Sequence, residues 1–224
     1  MILELYTMGF WTFALIGIYL KETTEKPFLA RTIVKMIPAF LAVAFIFFGG
    51  SSGFFYTVLI LSLFLCGLGD IGMEYNILPG LGMFLLAHFA FTGDFLYHSI
   101  VLGISPMYLT VFALCFAVMM VYVVFYHRHL KTSSHTIPPS MLRAVDFYAV
   151  LISLTMSTSL LLWLTSGAVL GFVPFIGGCI FVASDSLVGI REFHHSFKHQ
   201  WLLIMTTYYL AIFLLSLAGV LYAF

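Results

Sequence analysis

The sequence predicts an all-α integral membrane protein, a single bundle of about eight transmembrane helices in which residues 1–224 form one domain. Three observations carry this expectation. Of 224 residues, 62% are hydrophobic and 8% charged, and the mean hydropathy of +1.12 lies far above that of water-soluble domains. The apolar residues fall into uninterrupted runs of the roughly 20 residues needed to cross about 30 Å of hydrocarbon. All nine basic residues lie in or beside alternate connections between those runs, the asymmetry that the positive-inside rule gives to an even number of spans.

The first run, Leu3 to Leu20, carries Glu4 where a secretory leader has a basic region and lacks a small-residue cleavage site, so it is expected to stay as a helix. Thr32 to Phe48 follows, and Gly49, Gly50 and Gly53 separate it from Phe54 to Gly69. Ile77 to Tyr97 makes the fourth run. Ser105 and Pro106 open the fifth, which reaches Tyr126, and Pro138 with Pro139 sits in the longest loop before Ala144 to Leu164. Val169 to Val188 and Trp201 to Phe224 complete the set. A β-barrel needs alternating segments of about ten residues, and these runs are continuously apolar. There is no internal repeat and no low-complexity tract.

The basic residues Lys21, Lys26, Arg31 and Lys35, then Arg128, Lys131 and Arg143, then Arg191 and Lys198 flank the first, fifth and seventh connections. This places those connections in the cytoplasm and both termini on the non-cytoplasmic side of a multi-pass protein of the cell (inner) membrane. Nine basic residues balance nine acidic ones, which leaves no basic patch for nucleic acid. Cys66, Cys115 and Cys179 fall inside apolar runs at no ligand spacing and read as packing residues. The Phe and Tyr residues read mostly as lipid-facing or interfacial.

Within a membrane the informative residues are ionisable groups inside apolar runs, because each is costly unless it faces the bundle interior and finds a partner. Lys35 near the start of the second helix, Asp70 at the end of the third and Asp185 near the end of the seventh all fall within about one or two turns of the same boundary. Three helices thus bring titratable groups to one depth. Glu74 would share a face with Asp70 if the helix continued, although Gly69 and Gly72 predict a break there. His88 is expected roughly 16 Å deep and Tyr209 roughly 12 Å deep, lining the same inward-opening pocket. A structural alternative makes Asp70 a helix end and Asp185 with Lys35 an ion pair between helices. Asp94 and Asp146 read as interfacial and solvated. His127, His129, His135, His194, His195 and His199 read as loop histidines, of which only His195 and His199 have the spacing of a zinc pair on a helical face.

Four short motifs extend these positions: Lys35 opening the second helix, C-G-L-G-D ending in Asp70, G-M-F-L-L-A-H from Gly82 to His88, and S-D-S-L around Ser184 and Asp185. T-Y-Y-L-A from Thr207 to Ala211 is a fifth. In this order and on eight helices they resemble the YhhN-type lysoplasmalogenase family over nearly the whole chain. The chain departs from the family pattern at Met36, where the family often has Pro, at Phe91, where it has Tyr, and at Ile212, where it has Gln.

The resemblance implies hydrolysis of the vinyl ether bond of a lysophospholipid, a lysoplasmalogen, to a fatty aldehyde and glycerophosphoethanolamine or glycerophosphocholine. The residues fit that chemistry. A vinyl ether resists base and is cleaved by protonation of its alkene carbon, which requires a carboxylic acid held neutral by burial. A second, ionised carboxylate then stabilises the oxocarbenium ion and takes a proton from water, as in glycosidases. Asp70 and Asp185 are expected to be this pair, their individual roles left open. Lys35 is expected to set the charge balance, with Glu74, His88, Tyr148, Ser184 and Tyr209 supporting or orienting substrate. No cofactor or metal is required. Two other readings are a zinc-dependent lipid hydrolase using Asp70, His88, His195 and His199, and a lipid or ion transporter with an acidic relay.

Overall fold

The computed structural model of the protein describes residues 1–24, 28–49, 52–133 and 137–222. Eight helices long and apolar enough to cross a membrane follow one another among the described residues: α1 (Ile2–Thr23), α2 (Leu29–Phe48), α3 (Phe54–Tyr75), α4 (Ile77–Leu102), α5 (Pro106–Lys131), α6 (Pro139–Ser166), α7 (Phe172–Phe193) and α8 (Gln200–Ser216). A single turn, α9 (Ala218–Leu221), extends the last. The described residues contain no strand. The eight expected spans are therefore present, most of them longer by a turn or so at one or both ends. Lys26, Gly50, His135 and the expected end of the last helix at Phe224 lie outside the described residues.

Helix is the solution lipid imposes, because every backbone N–H and C=O is satisfied inside the segment. Local chemistry sets the ends. The Asn76 side chain accepts from the Leu78 N–H at 2.9 Å to start α4, and Ser105 accepts from Tyr108 ahead of Pro106 at the first helical position of α5. Gly167 closes α6 with a left-handed φ of 64°.

The expected break after Gly69 does not occur. The helix α3 runs on to Tyr75 and keeps Asp70 and Glu74 on one face. The glycines serve close packing instead. A Cβ on Gly72 would stand 2.7 Å from the backbone nitrogen of Gly80, and one on Gly69 would stand 2.8 Å from the Phe84 ring. Small residues let α3 and α4 press together, as helices do where lipid removes the hydrophobic drive to associate.

Contacts run α1–α2–α3–α4–α6–α7–α8 and close from α8 back to α1, and α8 also leans inward against α2 and α3. Outside this ring α5 packs on α6, with only Val123, Tyr126 and Leu130 buried. The seam of α6 is polar, and Ser153 and Ser157 donate to carbonyls one turn back at 2.6 and 2.8 Å. Many aromatics are core rather than lipid-facing: Phe10, Phe55, Phe91, Phe95, Phe181 and Tyr209 are fully buried.

Three further expectations change. Asp94 is 1% exposed, not solvated, with its Oδ1 3.2 Å from Nδ1 of His98 one turn along α4. His127 and His129 belong to the last turns of α5, and His127 pairs with the half-buried Asp146. His195 and His199 lie in the connection between α7 and α8, so they share no helical face.

Candidate active site

At the end of the bundle where α1 meets α2, α3 meets α4, α5 meets α6 and α7 meets α8, all eight helices contribute to a cavity of about 270 Å³. Its walls are largely aliphatic, with Leu81 and Leu85 of α4, Ile152 of α6 and Val182 of α7 among them. The polar groups concentrate in two places, one around Asp70 and one around Asp185.

Asp70 belongs to a buried charge cluster assembled by matching turns of two helices. Arg31 and Lys35 lie one turn apart on α2, as do Asp70 and Glu74 on α3. Lys21 reaches in from α1 and its Nζ donates to Oε1 of Glu74 at 2.6 Å. The Arg31 guanidinium donates to Oε2 of Glu74 through Nε at 3.0 Å and Nη2 at 2.5 Å. The Lys35 ammonium stands between the two acids, 3.3 Å from Glu74 Oε1 and 3.6 Å from Asp70 Oδ1, and donates to the Asp70 carbonyl at 3.2 Å. The Tyr208 hydroxyl completes the cluster by donating to Asp70 Oδ2 at 2.7 Å. Buried charges persist when each is paired and hydrogen-bonded in this way.

The backbone of α2 is braced beside Lys35. Pro38 lacks an N–H and crowds the turn before it. The Tyr209 hydroxyl donates to the Lys35 carbonyl at 3.1 Å, and Gly17 of α1 makes room, since a Cβ there would stand 2.8 Å from that hydroxyl.

Asp185 is held differently. The Tyr148 hydroxyl of α6 donates to its Oδ2, and among the described residues no cation pairs with it. The structural alternative of a Lys35–Asp185 ion pair is therefore not what forms, since Lys35 pairs with Asp70 and Glu74. Beside Asp185, the Ser184 hydroxyl donates to the Ile204 carbonyl at 3.3 Å, Tyr122 and Ser186 share a hydrogen bond, and Tyr126 donates to the Ser186 carbonyl at 3.2 Å.

Of the residues singled out in the sequence, Lys35, Asp70, Tyr148, Ser184 and Asp185 line the cavity, whereas Glu74, His88 and Tyr209 do not. Glu74 is covered by its cations. His88 is buried behind the wall, its ring 5.8 Å from that of Tyr148 and 4.6 Å from that of Phe181, with Nδ1 3.2 Å from the Thr155 hydroxyl. Tyr209 acts on backbone, and its neighbour Tyr208 meets the carboxylate. Lys21, Arg191 and Trp201 also line the cavity, although the sequence marked Lys21 and Arg191 only as charges that report orientation and Trp201 only as the start of a helix. A helical signal was available, because Trp201, Ile204, Met205 and Tyr208 recur on one face of α8, and all four line the cavity.

The zinc reading gains no geometry. Among the described residues no three His, Cys, Asp or Glu side chains gather as a metal-binding group, and His88 and Asp70 are not joined by His195 and His199. Instead His194 stacks on His129, centroids 4.3 Å apart. Desolvation and the neighbouring imidazoles of His129 and His195 hold its pKa below the ordinary histidine value.

The family model described as the YhhN family matches residues 30–219, a stretch that includes Lys35, Asp70, Tyr148, Asp185 and Tyr208. The chain belongs to the YhhN family. None of the curated proteins or solved structures matches it. The carboxylate cavity of this YhhN protein lies almost wholly within the matched stretch, with Lys21 contributed from outside it.

Proposed function

We propose that this YhhN protein is a membrane-embedded hydrolase that cleaves the vinyl ether bond of lysoplasmalogens, releasing a fatty aldehyde and glycerophosphoethanolamine or glycerophosphocholine. The observation that carries the proposal is a pair of unlike carboxylates in one apolar-walled cavity: Asp70 against the Lys35 ammonium, and Asp185 bonded to a phenol. Acid cleavage of a vinyl ether needs one neutral and one ionised carboxyl group, and their surroundings differ in that sense.

Asp185 is the acid in this scheme and gives its proton to carbon 2 of the alkenyl chain. The alkene electrons form that C–H bond and leave an oxocarbenium ion at carbon 1, which faces the Asp70 carboxylate. Asp70 takes a proton as water adds to carbon 1. The hemiacetal then collapses: Asp70 returns its proton to the departing glycerol oxygen, and the hemiacetal hydroxyl restores the proton on Asp185. One water is consumed and both carboxyl groups end as they began. Lys35 and Tyr208 orient Asp70 and favour its ionised form, Tyr148 orients Asp185, and the aliphatic wall of Leu81, Leu85 and Ile152 takes the chain. With the odd connections in the cytoplasm, the cavity takes its lipid from the inner leaflet.

The test is aldehyde release from a synthetic lysoplasmalogen by detergent-purified protein, with Asp70→Asn and Asp185→Asn alongside and a chelator control. Release by the native protein that the chelator spares and either substitution abolishes is the expected result. Folded, monodisperse protein that releases no aldehyde rules the proposal out.

A further inference from the structure

Where the cavity reaches the end of the bundle, two cations lie against one aromatic ring. The Arg191 guanidinium carbon lies 3.9 Å from the centre of the Trp201 ring and the Lys21 Nζ lies 4.3 Å from it. Arg191 is the last cation of α7 and Trp201 belongs to the first turn of α8, so both sit where a polar group meets water. Arg191 pairs through Nη2 with Glu192, yet its Nε is buried and has no hydrogen-bond partner among the described residues. A buried guanidinium donor left open at the rim of a cavity is unusual, since buried polar groups are normally satisfied.

The charges around the cavity point the same way. Lys21, Arg31, Lys35 and Arg191 pair with Glu74, Asp70 and Glu192. Within these pairs four cations meet three anions, and one positive charge awaits a partner. Arginine and lysine together suit a phosphate, the first through its planar fork and the second as a point charge. Arg191 follows Asp185 on α7 by six residues, about 9 Å of helical rise. A glycerol backbone covers a comparable distance between an ether carbon at one end and a phosphorus at the other.

We infer that Arg191 and Lys21, perched on Trp201, form a subsite for the phosphodiester of a single-chain lipid and make the enzyme select phosphate-bearing substrates over phosphate-free ones. The inference rests on the hydrolase proposal for the identity of the lipid. It is nevertheless tested by equilibrium binding of a lipid that has no bond to cleave.

Calorimetry on the full chain in detergent would compare a saturated 1-alkyl lysophosphatidylethanolamine with its phosphate-free 1-alkylglycerol, and inorganic phosphate alone. The native protein is expected to prefer the phosphate-bearing lipid by about 10- to 100-fold, the worth of one charge-assisted contact. Arg191→Gln is expected to bring that ratio close to one, and Arg191→Lys to keep part of it because charge survives without the fork. A ratio near one in the native protein, or a ratio unmoved in Arg191→Gln, overturns the inference. So does equal binding of the two lipids combined with tight binding of inorganic phosphate, which assigns the cations to a free anion. A preserved ratio without aldehyde release from a lysoplasmalogen sinks the hydrolase proposal alone, and aldehyde release with no ratio sinks the subsite alone.

Discussion

Replacing Glu74 by Gln removes the carboxylate on which Lys21, Arg31 and Lys35 converge, while keeping its shape. Four charge-assisted interactions are affected, at 2.5 to 3.3 Å. The amide can still accept on one oxygen, but its NH2 group now faces a cation, and Lys21 and Arg31 lose their carboxylate partner while Lys35 keeps Asp70. Each hydrogen bond to a charged group contributes about 1.5–3 kcal/mol, and their sum overstates the loss because the cluster relaxes as a unit. Breaking one buried ion pair costs about 3–5 kcal/mol, which is the expected destabilisation. For a chain of this size about 2–4 °C accompanies each kcal/mol, so the midpoint should fall by about 6–20 °C. Thermal unfolding in detergent, followed by tryptophan fluorescence, reads it directly. Asp185→Asn is the control, since its amide oxygen still accepts from Tyr148 and its midpoint should stay close to that of the native protein. A Glu74→Gln midpoint within about 2 °C of native would refute the claim that this cluster ties α1, α2 and α3 together.

Tyr208→Phe removes the 2.7 Å donor to Asp70 Oδ2 and should lower kcat/KM for aldehyde release by about 10- to 100-fold with little loss of expression; unchanged kinetics would take Tyr208 out of the site. Gly72→Val puts a side chain where a Cβ already meets backbone at 2.7 Å, so the α3–α4 contact should open at a cost of about 1–3 kcal/mol or more, seen as a lowered midpoint. Gly17→Ala brings a methyl group to 2.8 Å from the Tyr209 hydroxyl. Combining it with Tyr209→Phe should recover part of the lost stability, and strictly additive losses in that double-mutant cycle would show the contact to be unimportant.

The spans were legible because lipid leaves helix as almost the only reading of a continuously apolar run. The carboxylates were legible for a related reason: Asp70 and Asp185 are conspicuous where charge is costly, and their distance from helix ends gave a common depth. Glycine misled. In water Gly69 and Gly72 would mark a break, but against α4 they are the residues that permit contact, and only the Phe84 and Gly80 neighbours show it. Partner choice was hidden too. Lys35 had two carboxylates at its depth, and the rotation of α2 against α3 rather than any spacing gave it Asp70 and Glu74. Of the adjacent tyrosines, Tyr209 drew notice for its depth, while the turn of the helix put Tyr208 on the carboxylate. Lys21 and Arg191 sit near helix ends, where a basic residue ordinarily reports orientation, so nothing in their position along the chain marked them as walls of a cavity.

In the proposed reaction carbon 2 of the vinyl ether receives its proton from Asp185. This transfer is tested most directly by hydrolysis of a lysoplasmalogen in D2O, with the aldehyde reduced as it forms and its deuterium located by mass spectrometry. One deuterium at carbon 2 is expected in the product of the native protein, and no product above background from Asp185→Asn. Aldehyde without deuterium at carbon 2, or native rates from Asp185→Asn, would contradict the proposed transfer.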